Sequence, residues 1–237
     1  MRNTLAIAER ELKAYFVSPV AYVITALFLL ISGYLFSVIL LNTNEATLRL
    51  LMGNLSVIWL FITPALTMRL LAEETRAGTI ELLLTNPVRD VEVVVGKYLG
   101  ALALLLVMVA FTLYYPALLL ILGNPDRGPM IAAYLGLILQ GAAFLAIGLM
   151  ASSLTENQIV AAVLTFAILL IMWLSESVAN FIGKPASDIM RYLSVSSHSQ
   201  DFARGVIDTT HVVYFLSIVA AALFLTFLSL QTRRWRG

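Results

Sequence analysis

The sequence contains no cysteine, which excludes disulfides, thiolate nucleophiles and Cys-based metal sites. Charge is scarce too: Asp, Glu, Lys and Arg make up 12% of the 237 residues, where a soluble domain carries about 25%. The 15 Lys and Arg against 14 Asp and Glu leave a formal net charge of +1, so no field of one sign calls for a polyanionic partner. Two histidines, His198 and His211, stand thirteen positions apart with no ligand set around them. What abounds is apolar: 60% of residues, with a mean hydropathy of +0.92. So few polar side chains cannot cover the surface of a soluble protein. A cytosolic enzyme, a disordered tail and a nucleic-acid reader are excluded. The chain is an integral membrane protein.

Six long apolar runs are present, at 19–41, 50–71, 93–122, 130–151, 158–178 and 211–230. Each meets the length of about 20 residues that a membrane-crossing helix needs. The runs are continuous rather than alternating, which excludes a β-barrel. The expected architecture is a single all-α membrane domain over 1–237, with six transmembrane helices. Little chain remains for a nucleotide-binding or catalytic domain. The 93–122 run exceeds a bilayer's needs, so tilt or partial emergence is expected, with a kink at Pro116. Ala142, Ala143, Ala146 and Gly148 give the fourth run a small face suited to tight packing. No internal repeat is visible.

With both termini inside, inner segments hold ten basic residues: Arg2, Arg10, Lys13, Arg69, Arg76, Arg89, Lys97, Arg233, Arg234 and Arg236. The outer segments hold five, namely Arg49, Arg127, Lys184, Arg191 and Arg204. The excess predicts cytoplasmic termini. The first run is long and lacks a small-residue cleavage pattern, so it reads as a retained span.

Ahead of it, residues 3–16 place Leu5, Ala8, Leu12, Tyr15 and Phe16 on one helical face, with Glu9 paired to Lys13 and Asn3 as a candidate cap. Two readings fit. One is an interfacial helix with its apolar face in lipid; the other is a helical extension of the first span.

Charge concentrates in residues 69–97, with Glu73, Glu74, Glu81, Asp90 and Glu92 among basic residues. Thr75 or Thr79 is expected to cap a short helix through Ile80–Leu84, and Asn86-Pro87 to end it. Its leucines sit outside the bilayer. They either touch the interface or form a docking surface.

The stretch Glu73-Glu74-x-Arg76-x-Gly78-Thr79-x-Glu81-x-Leu83-Leu84-Thr85-x-Pro87 resembles the coupling-helix region of ABC-2 type exporter permeases. Thr67-Met68-Arg69, Gly96-Lys97-Tyr98-Leu99-Gly100, Leu122-Gly123-Asn124-Pro125, Glu156-Asn157-Gln158-Ile159-Val160 and Arg204-Gly205-Val206-Ile207-Asp208-Thr209 are similar to the gliding-motility GldF-like subfamily. The resemblance implies an interfacial elbow helix at 3–16, carrying Leu5, Arg10, Leu12 and Lys13. It implies that region 72–92 docks on a separate ABC ATPase dimer. Glu73, Glu74, Arg76 and Glu81 would make rim contacts there, Ile80, Leu83 and Leu84 would fill the groove, and Gly78 would turn the backbone between Thr79–Pro87 and the preceding helix. It further implies a second permease half, in a homodimer or, as the lesser alternative, a heterodimer, an accessory envelope protein of the GldG type, and a place in the bacterial cytoplasmic membrane. This chain would hold no cofactor; ATP and Mg belong to the partner ATPase. Consistently, no phosphate loop occurs, since Gly96-Lys97 lacks the earlier glycine and is followed by Tyr98. The alternative is a membrane anchor that scaffolds an envelope complex without transport.

Other features are expected to be structural. Gly96-x-x-x-Gly100 reads as incidental spacing, and Glu176 as a wet position one turn from the outer loop. The spans otherwise lack ionisable groups at mid-depth, which argues against an ion-coupled carrier. The 179–210 loop is expected to form short helices on the outer face, with His198 at its surface.

Overall fold

The computed structural model describes residues 2–43, 47–78 and 89–234, and among these it contains helices and no strands. In chain order the helices are α1 (Arg2–Val17), α2 (Pro19–Thr43), α3 (Arg49–Thr67), α4 (Ala72–Arg76), α5 (Asp90–Phe111) and α6 (Tyr114–Leu122). They continue with α7 (Arg127–Ser153), α8 (Gln158–Ala179), α9 (Ala186–Leu193), α10 (Val195–Ala203) and α11 (Thr209–Arg234). Among the described residues six segments are long and apolar enough to cross a membrane, with α5 and α6 forming one of them.

The centre of the bundle is α7. Its apolar window is 72% buried, whereas the windows of α2, α8 and α11 are only 17%, 22% and 22% buried. Those three carry the largest unburied apolar windows of the bundle. The small face read from Ala142, Ala143, Ala146 and Gly148 explains the position of α7, because small side chains let backbones approach. Gly136, Gly141 and Gly148 press against Phe202, Leu105 and Thr67, at separations that leave no room for a β-carbon. On the other side of α3, Phe28 of α2 stacks on Trp59 with ring centroids 5.1 Å apart.

The α5–α6 segment spans 33 residues. As one helix it would run roughly 50 Å against a hydrocarbon thickness of about 30 Å. It breaks instead. The break lies at Thr112–Leu113, not at Pro116 as expected. A proline ring displaces the carbonyl four residues before it, here that of Thr112, while Pro116 itself sits in the first turn of α6, where no N–H is needed. The displaced Thr112 carbonyl accepts from the Tyr134 hydroxyl at 2.8 Å and from the Tyr115 amide at 3.0 Å. Both partners matter at a depth where no water can replace them.

The end of the bundle opposite α1 is covered by α9 and α10. Here the structure corrects the expectation for His198, which is buried at 6% exposure rather than placed at the surface. Its ring stacks on Tyr214 at 3.8 Å and lies 5.0 Å from that of His211. His211 in turn meets Asp201, with Nε2 2.8 Å from Oδ2.

Candidate functional site

A group of charged side chains meets at the α1 end, where α1, α4 and the start of α5 come together. The face of α1 that packs inward carries Thr4, Ile7, Ala8, Glu11, Leu12 and Tyr15, spaced three and four apart as one helical stripe demands. This changes the amphipathic reading. Leu5 and Phe16 stay exposed at 66% and 43%, but Leu12 is half-buried and Tyr15 buried against protein rather than lipid. Arg10 and Lys13 are exposed, Lys13 bonding Glu9 at 2.6 Å, which holds the Glu9 carboxyl below its ordinary range.

The stripe lies along the first turns of α5. A β-carbon on Gly96 would stand 2.8 Å from Ile7 Cβ, and one on Gly100 would stand 2.6 Å from Glu11 Cβ and 3.1 Å from the Ala8 carbonyl. The Gly96-x-x-x-Gly100 spacing, read as incidental, is the groove that seats α1. Asn3 does not cap α1. Its side-chain amide donates to Glu92 Oε2 at 3.2 Å, and the same oxygen accepts the Arg89 amide at the start of α5.

Between the two glycines, Lys97 is 1% exposed. Its Nζ donates to Glu11 Oε1 of α1 and to Glu74 Oε1 of α4, each at 2.8 Å. Arg10 closes the group, 3.3 Å from Glu74 and 3.8 Å from Glu11. Two cations and two carboxylates thus balance, as burial of charge requires. A cleft of about 370 Å³ opens beside them, with Arg69 and Glu73 on its wall. Arg69 lies over the Tyr15 ring at 4.6 Å, and the Tyr15 hydroxyl donates to the Leu66 carbonyl at 2.7 Å. Burial pushes the Tyr15 phenol well above its ordinary pKa.

The segment between α3 and α4 is tied to the end of α7. Ser152 Oγ accepts the Leu71 and Ala72 amides at 3.0 Å each and donates to the Met68 carbonyl at 3.2 Å. Thr75, a candidate cap for a following helix, lies inside α4 instead, its hydroxyl donating to the Leu71 carbonyl at 3.0 Å. Glu73 and Arg76 are exposed on α4, Glu74 is turned inward, and Gly78 adopts φ +67, a left-handed conformation that glycine takes without strain. Thr79, Ile80, Glu81, Leu83, Leu84 and Pro87 lie outside the described residues.

Sequence reasoning missed the roles of Glu11 and Lys97. The signal for Glu11 was present: it sits three residues after Ala8 and four before Tyr15, a charge on an otherwise apolar stripe. Among the described residues no group of three His, Cys, Asp or Glu side chains could hold a metal ion.

No curated protein matches the chain. Residues 5–233 match the family model of the ABC-2 family transporter protein, which takes in α1 from Leu5 onward, the Lys97 cluster and all six membrane-length segments. A match over nearly the whole chain, on an all-helical bundle with six membrane-length segments, settles the family. The chain belongs to the ABC-2 transporter family, as a multi-pass membrane component.

Proposed function

We propose that the chain is the permease subunit of an ATP-driven ABC exporter of the gliding-motility GldF-like kind. In this reading the α1 end is cytoplasmic and α1 is the interfacial elbow. Region 72–92 docks on a separate ABC ATPase dimer that binds ATP and Mg. Two permease copies pair as a homodimer in the bacterial cytoplasmic membrane, with a GldG-type protein as accessory. ATP closure of the ATPases is passed to the bundle and moves cargo outward, or performs mechanical work on the envelope.

The family match over residues 5–233 carries this reading. ABC-2 membrane components ordinarily work with an ABC ATPase. The α1 end supports it, since Glu73 and Arg76 stand exposed beside an internally neutralised charge cluster. Exposed charges of this kind set register and on-rate when a partner docks.

The test is purification of the tagged protein from its native membrane in mild detergent, with identification of the chains that accompany it. A Walker-motif ATPase should appear with the wild type and disappear with Glu73→Lys and Leu83→Asp. Its absence from wild-type preparations that keep other ABC complexes intact would favour the scaffold reading.

A further inference from the structure

Lys97 presents a puzzle of economy. A buried ion pair adds little net stability over a well-packed apolar replacement. Its effect is geometric. Apolar surfaces tolerate sliding, whereas an ammonium 2.8 Å from each of two carboxylate oxygens fixes three elements at once. Glu11 belongs to α1, Glu74 to α4 and Lys97 to α5. The seat beneath it is equally demanding, because Gly96 and Gly100 admit α1 only in close contact. A third tie runs from α4 to α7 through Ser152.

We propose that Lys97 is a positioning residue that locks α1, α4 and the first turns of α5 into one rigid body. Displacement of α4 by a docked partner is then delivered to α1 and to the third span together. Helix α4 has five residues, too few to hold a helical shape unaided, so its orientation is set by what grips it. With Lys97 neutralised, Glu11 and Glu74 face one another with exposed Arg10 as the shared cation, and the tie between α1 and α4 passes to a side chain 60% open to solvent. A solvent-screened pair holds geometry poorly. The transmission half of the proposal rests on the permease reading above; the rigid-body half does not.

The absence of native cysteine makes the test direct. Spin labels are placed on cysteines at Ala6 of α1 and Ala77 after α4, both exposed, in the full chain with its co-purifying partners in lipid nanodiscs. Pulsed electron resonance then gives the distance distribution. The expected wild-type result is one narrow distribution, unchanged by ATP with vanadate. Glu11→Gln, and the uncharged combination Glu11→Gln, Glu74→Gln and Lys97→Met, should lose that narrowness. The milder variant keeps Lys97 paired with Glu74, so a folding failure of the combination leaves the question answerable. A narrow wild-type distribution in Glu11→Gln and in any folded combination would overturn the lock. A second label pair, Ala77 with Phe181 at the other end, tests the permease reading separately. A shift with ATP and vanadate supports that reading. No shift sinks it without touching the result from the first pair.

Discussion

Gly100 of α5 and Glu11 of α1 approach so closely that a β-carbon on the glycine would stand 2.6 Å from the Glu11 Cβ. The position has no space for growth. Gly100→Val is expected to lift α1 at a cost of about 1–3 kcal/mol, the usual range for overpacking. A single cysteine at Ile7, in the same seam, reports the event in a chain with no other thiol. Its maleimide labelling should accelerate in the Gly100→Val background. Equal rates in both backgrounds would show that α1 is not seated there.

Ser152 serves three backbone groups, accepting from Leu71 and Ala72 and donating to Met68. Ser152→Ala strands two buried amides, each costing about 1–3 kcal/mol when left unpaired. The expected outcome is faster hydrogen exchange across residues 71–76 with α7 protection unchanged. Uniform loosening of the bundle, or no change in α4, would contradict this assignment.

Tyr134→Phe removes one of the two donors to the Thr112 carbonyl at the break in the third span. Interhelical hydrogen bonds in membranes contribute about 0.6 kcal/mol on average, so a modest fall in detergent melting temperature is expected. Tyr22→Phe, at a residue 58% exposed, is the comparison and should leave the melting temperature in place. Equal effects from the two variants would argue against a special role for the Thr112 carbonyl.

His198 gives the α9–α10 cover a dependence on pH. Burial holds its pKa below the ordinary histidine value of 6.5; the hydrogen bond to the Ser194 carbonyl opposes that, His211 adds to it, and Asp201 opposes it. In the unfolded loop the ring takes a proton at the ordinary value, while in the packed loop it does so only at lower pH. Its contribution to packing is therefore full above the ordinary value and lost as pH falls through the depressed one. Exchange of residues 195–203 should rise between neutral pH and about pH 5, the range in which histidines titrate. His198→Gln should flatten the trend, and an unaltered trend would show that His198 is not its source.

The sequence displayed the spans because a membrane helix is a matter of length and composition, both local. The tight packing of α7, though not its central place, was legible for the same reason, since Ala142, Ala143, Ala146 and Gly148 mark a close-packing face wherever the helix stands. Lys97 was not legible. A lysine at the edge of an apolar run has the same local sequence whether it reaches water or is sealed in, and here the deciding carboxylates lie 86 and 23 positions away. The burial of His198 likewise depends on Tyr214, a residue of another helix. The break at Thr112 was displaced from Pro116 because a proline acts on the carbonyl a turn earlier, so the visible residue and its effect are separated. The three charged residues of α4 split for a reason of periodicity: Glu73 and Arg76 face outward, and Glu74 is turned inward.

The hydroxyl that satisfies the start of α4 comes from a residue 80 positions further along the chain. The grip on Glu74 comes from Lys97, 23 positions on. Neither exists when α4 leaves the ribosome. The surface at this end is thus finished backwards during synthesis: earlier segments wait on later ones, and α4 takes its final form only after the fourth span is in place. Truncation of the nascent chain anywhere before Ser152 leaves the bundle without a completed α1 end, whatever the number of helices already in the membrane.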